Sequence, residues 1–122
     1  MFAQGQTAEA LAEWREGLKR EPDNVAILSH TAWILATSAD PAVRSASEAV
    51  ALAGRAMKIS GGRDPSVCDA LAAAYAEAGR FGDAVKTARD GLALVTPRTD
   101  PRVAEGLKAH AALYEKGIPY RQ

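Results

Sequence analysis

At 122 residues the chain has room for one domain, and a domain of this size buries a core without metal or disulfide support. Fifteen basic residues balance fifteen acidic ones, which argues against the dense positive surface that nucleic-acid binding needs and leaves association between copies unopposed by charge. The single cysteine, Cys68, rules out an internal disulfide, and abundant alanine with few β-branched or aromatic residues points to an all-α chain.

Punctuation and periodicity divide the chain into six helical segments. The first spans about 7–20, with Leu11, Trp14 and Leu18 at helical spacing, Thr7 as its N-cap and Pro22 beyond its end. Asn24 caps the second, about 25–38, whose apolar contacts come from Val25, Leu28, Trp33 and Leu35. The pair Asp40-Pro41 opens the third, about 41–59, with a potential break near Arg44 and Ser45. Gly61-Gly62 supplies the left-handed backbone that ends it. Asp64-Pro65 opens the fourth, about 65–78, and Gly79 turns the chain into the fifth, about 81–94. Pro97 breaks the chain, Asp100-Pro101 opens the sixth, about 101–116, and Gly117-Ile118-Pro119 stops it.

No apolar run approaches the roughly 18 residues of a membrane-spanning helix. The opening residues, Met1-Phe2-Ala3-Gln4-Gly5, have neither the charged nor the apolar region of a secretory signal. No membrane contact is expected of this segment, and the cytoplasm is the default compartment.

Small residues recur where second helices of a pair would begin: Ala10, Ala49 and Ala84, at intervals of 39 and 35 residues. A small side chain is needed where two helices cross closely. A helix-turn-helix unit with a period of about 34 residues is the mark of the tetratricopeptide repeat, and on these residues the chain resembles that family. The best-matched unit is 65–95. Its Cys68-x2-Leu71-Ala72-x2-Tyr75 follows the family's first-helix spacing, with cysteine for the usual tryptophan and alanine for glycine. Gly79 sits at its turn, and Pro97 lies one residue later than the family's closing proline. One turn after the small residue the family favours a larger one, which Trp14 supplies and Ala53 and Ala88 do not. The unit 25–60 keeps Leu28, Ala32, Leu35 and Ala49, with about five extra residues around 39–44 enlarging its inter-helix turn. The segment 5–24 matches only the second half of a repeat, through Gly5, Ala10, Trp14 and Pro22; at most Met1 and Phe2 remain of the first half. The resemblance covers 5–95 and implies a superhelical stack of antiparallel helix pairs in one domain, 1–122, with 100–117 as a capping helix. The segments 33–38, 64–67 and 113–121 further resemble the carboxy-terminal part of a larger bacterial protein of this family.

By the same resemblance, first helices line the ligand groove. That assigns Ser29, Trp33, Ala36 and Thr37 from the second helix and Ser66, Asp69, Ala73 and Glu77 from the fourth. Family members that clamp an acidic carboxy-terminus use lysine, asparagine and arginine there; Ser29, Trp33, Asp69 and Ala73 cannot form that clamp. Trp33 either anchors a ligand or packs against the third helix. Because the first repeat is half present, Leu11, Trp14 and Leu18 are expected to leave an apolar flank open to self-association.

Cys68 falls in the apolar stripe with Leu71 and Tyr75 and reads as a small core residue without a neighbouring base. His30 and His110 stand alone, without a second ligand at metal spacing. Gly61-Gly62-Arg63-Asp64 lacks phosphate-loop spacing and follows no strand. Glu9, Glu13 and Glu16 form a solvated face beside Arg15, Lys19 and Arg20. These readings expect no catalytic residue, no cofactor and no metal. The expected function is a protein-interaction or assembly scaffold with a protein or peptide partner, itself or another; the alternative is a regulatory or substrate-presenting tail of a larger enzyme.

Overall fold

The computed structural model describes the backbone of residues 4–122 and the side chains of residues 8–122. The stub of Met1 and Phe2, read above as the remnant of a first helix, lies outside them. The order is α1 (Gln4–Arg20), α2 (Val25–Thr37), α3 (Ala46–Ile59), α4 (Pro65–Glu77), α5 (Phe81–Ala93) and α6 (Pro101–Glu115), with no strand among the described residues. None of these helices is long and apolar enough to cross a membrane.

Local chemistry explains most boundaries. The Asn24 side chain accepts from the Ile27 amide at 3.1 Å. Asp64 and Asp100 accept from the Ser66 and Arg102 amides, each at 2.9 Å, with proline at the first helical position behind them. α4 ends where Gly79 takes φ 79°; there Arg80 N–H donates to the Tyr75 carbonyl at 2.8 Å, satisfying an orphan acceptor of the last turn.

Two expected starts are corrected. α1 begins at Gln4, so Thr7 lies inside the helix rather than at its cap. The Asp40-Pro41 pair makes a single turn and not the start of α3. Asp40 caps the Ala42 amide at 2.9 Å and its carbonyl accepts from Val43 and Arg44, as a helix start would. Tertiary bonds then pull the chain out. Ser45 N–H donates to the Leu35 carbonyl of α2 at 2.9 Å, the Arg44 guanidinium donates to the Ser38 carbonyl at 2.8 Å, and Ser45 is extended at φ −149°. α3 therefore starts at Ala46.

Consecutive helices run in opposite directions. Leu28 near the start of α2 clusters with Ala56 near the end of α3, and Leu35 with Ala49 at its start. The core is built largely from alanine: Ala32, Ala36, Ala49, Ala53 and Ala56 are all within 1% of full burial. Without longer side chains between them, the helices close tightly. One close approach is at Gly91 of α5, where a Cβ would stand 2.8 Å from Cys68 Cβ and 3.3 Å from the Leu107 methyls. α6 lays Leu107, Ala111 and Tyr114 against Ala72, Ala76, Ala84 and Ala88, covering the α4–α5 pair. α2, α4 and α6 are packed in sequence, with α1 on the far side of α2.

The front of the chain differs from the open flank expected of it. Leu11 is 9% exposed, clustered with Leu35, Ala36 and Ala49. Leu18 packs beside Leu28, and Trp14 is half-buried with its ring stacked on His30 at 5.1 Å. α1 carries one apolar stripe, all of it turned toward α2, and Glu9, Glu13, Glu16 and Lys19 take the solvent side. The only large exposed hydrophobics among the described residues are Ile59 and Ile118, neither on α1.

Candidate partner-binding cleft

Helical spacing brings one face each of α2, α4 and α6 around a common opening. Ser29 and Trp33 are one turn apart on α2, Ser66 and Asp69 one turn apart on α4, and Gly106 and His110 one turn apart on α6. These six residues line a cavity of about 470 Å³, with His30 and the Asp100–Arg102 start of α6 at its edges. That volume lies in the range of small-ligand pockets, about 300–1,000 Å³.

The polar centre of the cleft is a pair that sequence inspection could not join. His110 Nδ1 lies 2.8 Å from Asp69 Oδ1, across 41 positions, with both side chains largely buried. An ionised carboxylate can only accept, so Nδ1 is the donor in this contact. Aromatic rings hold the imidazole: Trp33 at 5.3 Å and Tyr120 at 4.3 Å between centroids. Trp33 and Tyr120 are themselves 5.5 Å apart. Nothing in the spacing of His110 announces this; both histidines read as isolated because their partners lie on other helices.

Charge in the cleft leans negative. Arg102 is spent on Asp100: its guanidinium and its backbone N–H both donate to that carboxylate and hold it below the usual carboxylate range. Among the described residues Asp69 has only His110 as partner. The Ser29 hydroxyl is buried without a hydrogen-bond partner among the described residues. The cleft thus offers an aromatic wall and a carboxylate, a set suited to a cationic group.

Of the groove residues assigned from sequence, Ser29, Trp33, Ser66 and Asp69 line the cavity. Ala36, Thr37, Ala73 and Glu77 do not. Ala36 and Ala73 belong to the core cluster around Leu35, at 1% and 2% exposure, because α2 and α4 close on each other there. Thr37 and Glu77 are covered by the chain's own segment 117–122. Gly117, at φ 71°, reverses the chain after α6, and Ile118 N–H closes the turn on the Leu113 carbonyl at 3.0 Å. Gln122 then donates through its backbone N–H to the Thr37 carbonyl at 2.8 Å and through Nε2 to Thr37 Oγ1 at 2.9 Å. The Arg121 guanidinium lies 2.8 Å from Glu77 Oε2, at an angle that makes it a charge contact rather than a hydrogen bond. Arg44, from the enlarged turn, holds the other oxygen at 3.3 Å.

Cys68 lies outside the cleft, 1% exposed behind α5. Burial, with help from Asp90, Asp64 and Asp69, pushes its thiol up to about 11. Among the described residues no three histidine, cysteine or acidic side chains form a metal-binding group.

Comparison with known proteins found no matching family model, no matching curated protein and no matching solved structure.

Proposed function

We propose that the chain is a protein-binding module of tetratricopeptide type, and that its cleft between α2, α4 and α6 receives a basic side chain of a partner. The observation carrying this reading is convergence. Ser29, Trp33, Ser66 and Asp69, assigned to a groove by repeat register, line one open cavity together with His110. A stack of pairs built as superhelical repeats would generate such a surface from its first helices. The aromatic wall and the carboxylate supply the anchor and charge of a recognition pocket. Assembly through α1 has less support, since Leu11 is buried and the outer side of that helix is polar.

The test is a selection of displayed random peptides on the immobilised full chain, followed by titration of the winners against Ser66→Trp and Asp69→Asn. Ser66 is exposed at the rim, so the indole blocks the cleft without entering the core. Blocking is expected to weaken binding at least about tenfold, about 1.4 kcal/mol, with helicity unchanged. The asparagine variant is expected to discriminate specifically against basic peptides. Selected peptides that bind the tryptophan variant as well as the parent chain would sink the proposal.

A further inference from the structure

We infer that the segment 117–122 is a built-in ligand of the α2–α4 surface beside the cleft, and that a partner segment carrying an aromatic residue followed by arginine displaces it. The partner half of this rests on the cleft being a protein-binding surface. The seating of the segment stands on its own contacts.

Three consecutive residues each engage a different kind of partner. Tyr120 places its ring beside His110 and Trp33, the same two side chains that line the open cavity. Arg121 meets Glu77, a carboxylate only 14% exposed and already faced by Arg44. Gln122 bonds the carbonyl and hydroxyl of Thr37, at the end of α2. Aromatic, cation and backbone are read in that order along a non-helical segment, which is how a groove reads a peptide.

The segment is held by a few contacts and is half open to solvent. Ile118 is 46% exposed, Gln122 is exposed, and no backbone hydrogen bond joins 119–121 to the helices. Few buried apolar contacts and few protected amides are the marks of a unit that opens locally before the fold does. Its tether gives it the advantage of high effective concentration, which a partner must overcome with further contacts in the cavity.

The probe is the acetylated hexapeptide Gly-Ile-Pro-Tyr-Arg-Gln, read by tryptophan emission. The chain has two tryptophans, so Trp14→Phe leaves Trp33 as sole reporter. In that background, Tyr120→Ala with Arg121→Ala is expected to shift Trp33 emission to the red. Added hexapeptide is expected to reverse the shift in the doubly substituted chain and leave the parent unchanged at the same concentrations. A hexapeptide with alanine in place of arginine is expected to bind at least about tenfold more weakly. Emission indifferent to the double substitution, equal binding to both chains, or equal binding of the two peptides would each overturn the inference.

Hydrogen exchange on the unsubstituted chain gives a second measurement. The Gln122 amide is expected to exchange more slowly than in a free peptide and faster than amides of α4. Free-peptide exchange means the segment is not seated, and exchange as slow as α4 means it is not displaceable; either result overturns the inference. Hexapeptide binding without any selected peptide for the cavity would leave the built-in ligand standing and remove the partner reading. Selected cavity peptides without hexapeptide binding would do the reverse.

Discussion

Gln122 donates twice to Thr37, a residue 85 positions earlier: its backbone amide to the carbonyl and its side-chain amide to the hydroxyl. Thr37 is fully buried, and its hydroxyl also donates to the Trp33 carbonyl at 2.7 Å. The last residue of the chain is thereby fastened to the end of α2, close to the enlarged turn that carries Arg44. Glu77 lies between the two guanidiniums of that turn and that segment.

The two sides of this ion cluster are expected to respond unequally. Arg121→Ala removes a partly exposed partner and costs less than about 1 kcal/mol. Glu77→Ala leaves Arg44 and Arg121 facing each other without their shared counter-charge, and costs about 1–3 kcal/mol. Urea denaturation of both single variants and the double variant checks this, and an Arg121→Ala loss equal to that of Glu77→Ala would contradict it.

Three glycines within helices separate packing from propensity. At Gly54 and Gly82 an added Cβ meets nothing within 4 Å, so alanine there is expected to stabilise by about 0.5–1 kcal/mol. At Gly91 the same methyl would stand 2.8 Å from Cys68 Cβ, an atom fixed to backbone. Overpacking of that kind costs about 1–3 kcal/mol, against a helix-propensity gain of about 1 kcal/mol. Thermal denaturation should therefore rank Gly54→Ala and Gly82→Ala above the parent and Gly91→Ala below it.

Cys68 makes stability fall at alkaline pH. Its folded thiol is raised from 9.0 to about 11, so the folded chain holds a proton that the unfolded chain releases first. The contribution is complete below pH 9 and is lost between pH 9 and about 11, at up to about 1.4 kcal/mol per pH unit. Denaturation across that window is expected to show the decline in the parent chain and a flatter profile in Cys68→Ala. The thiol should also react with an aromatic disulfide reagent only as fast as the fold opens.

Tyr114 is 1% exposed, and its hydroxyl has no hydrogen-bond partner among the described residues. Burial and the nearby Asp69 raise its ionisation well above the ordinary tyrosine range. Removing an unpartnered buried hydroxyl relieves a desolvation cost of about 1–3 kcal/mol while keeping the ring in place. Tyr114→Phe is expected to match or exceed the parent in thermal midpoint, and a loss of several degrees would show that the hydroxyl is bonded.

The helices were legible because their signals act within a turn. Asn24, Asp64 and Asp100 cap their helices through amides two or three residues away, and Gly79 and Gly117 reverse the chain where they stand. The register of Ala49 and Ala84 marked close helix contacts, and Ser29, Trp33, Ser66 and Asp69, grouped by the family resemblance, line one cavity. Other features needed a partner distant in sequence. Asp40-Pro41 carries the same local signal as the two aspartate–proline pairs that open helices, yet bonds from Ser45 and Arg44 to α2 overruled it. Leu11 looked free until α1 turned its only apolar stripe onto α2. His110 with Asp69, and 117–122 with Thr37 and Glu77, join positions tens of residues apart. Periodicity specifies which residues share a face of one helix; which faces meet is decided by how the helices pack, and that is a property of the folded chain alone.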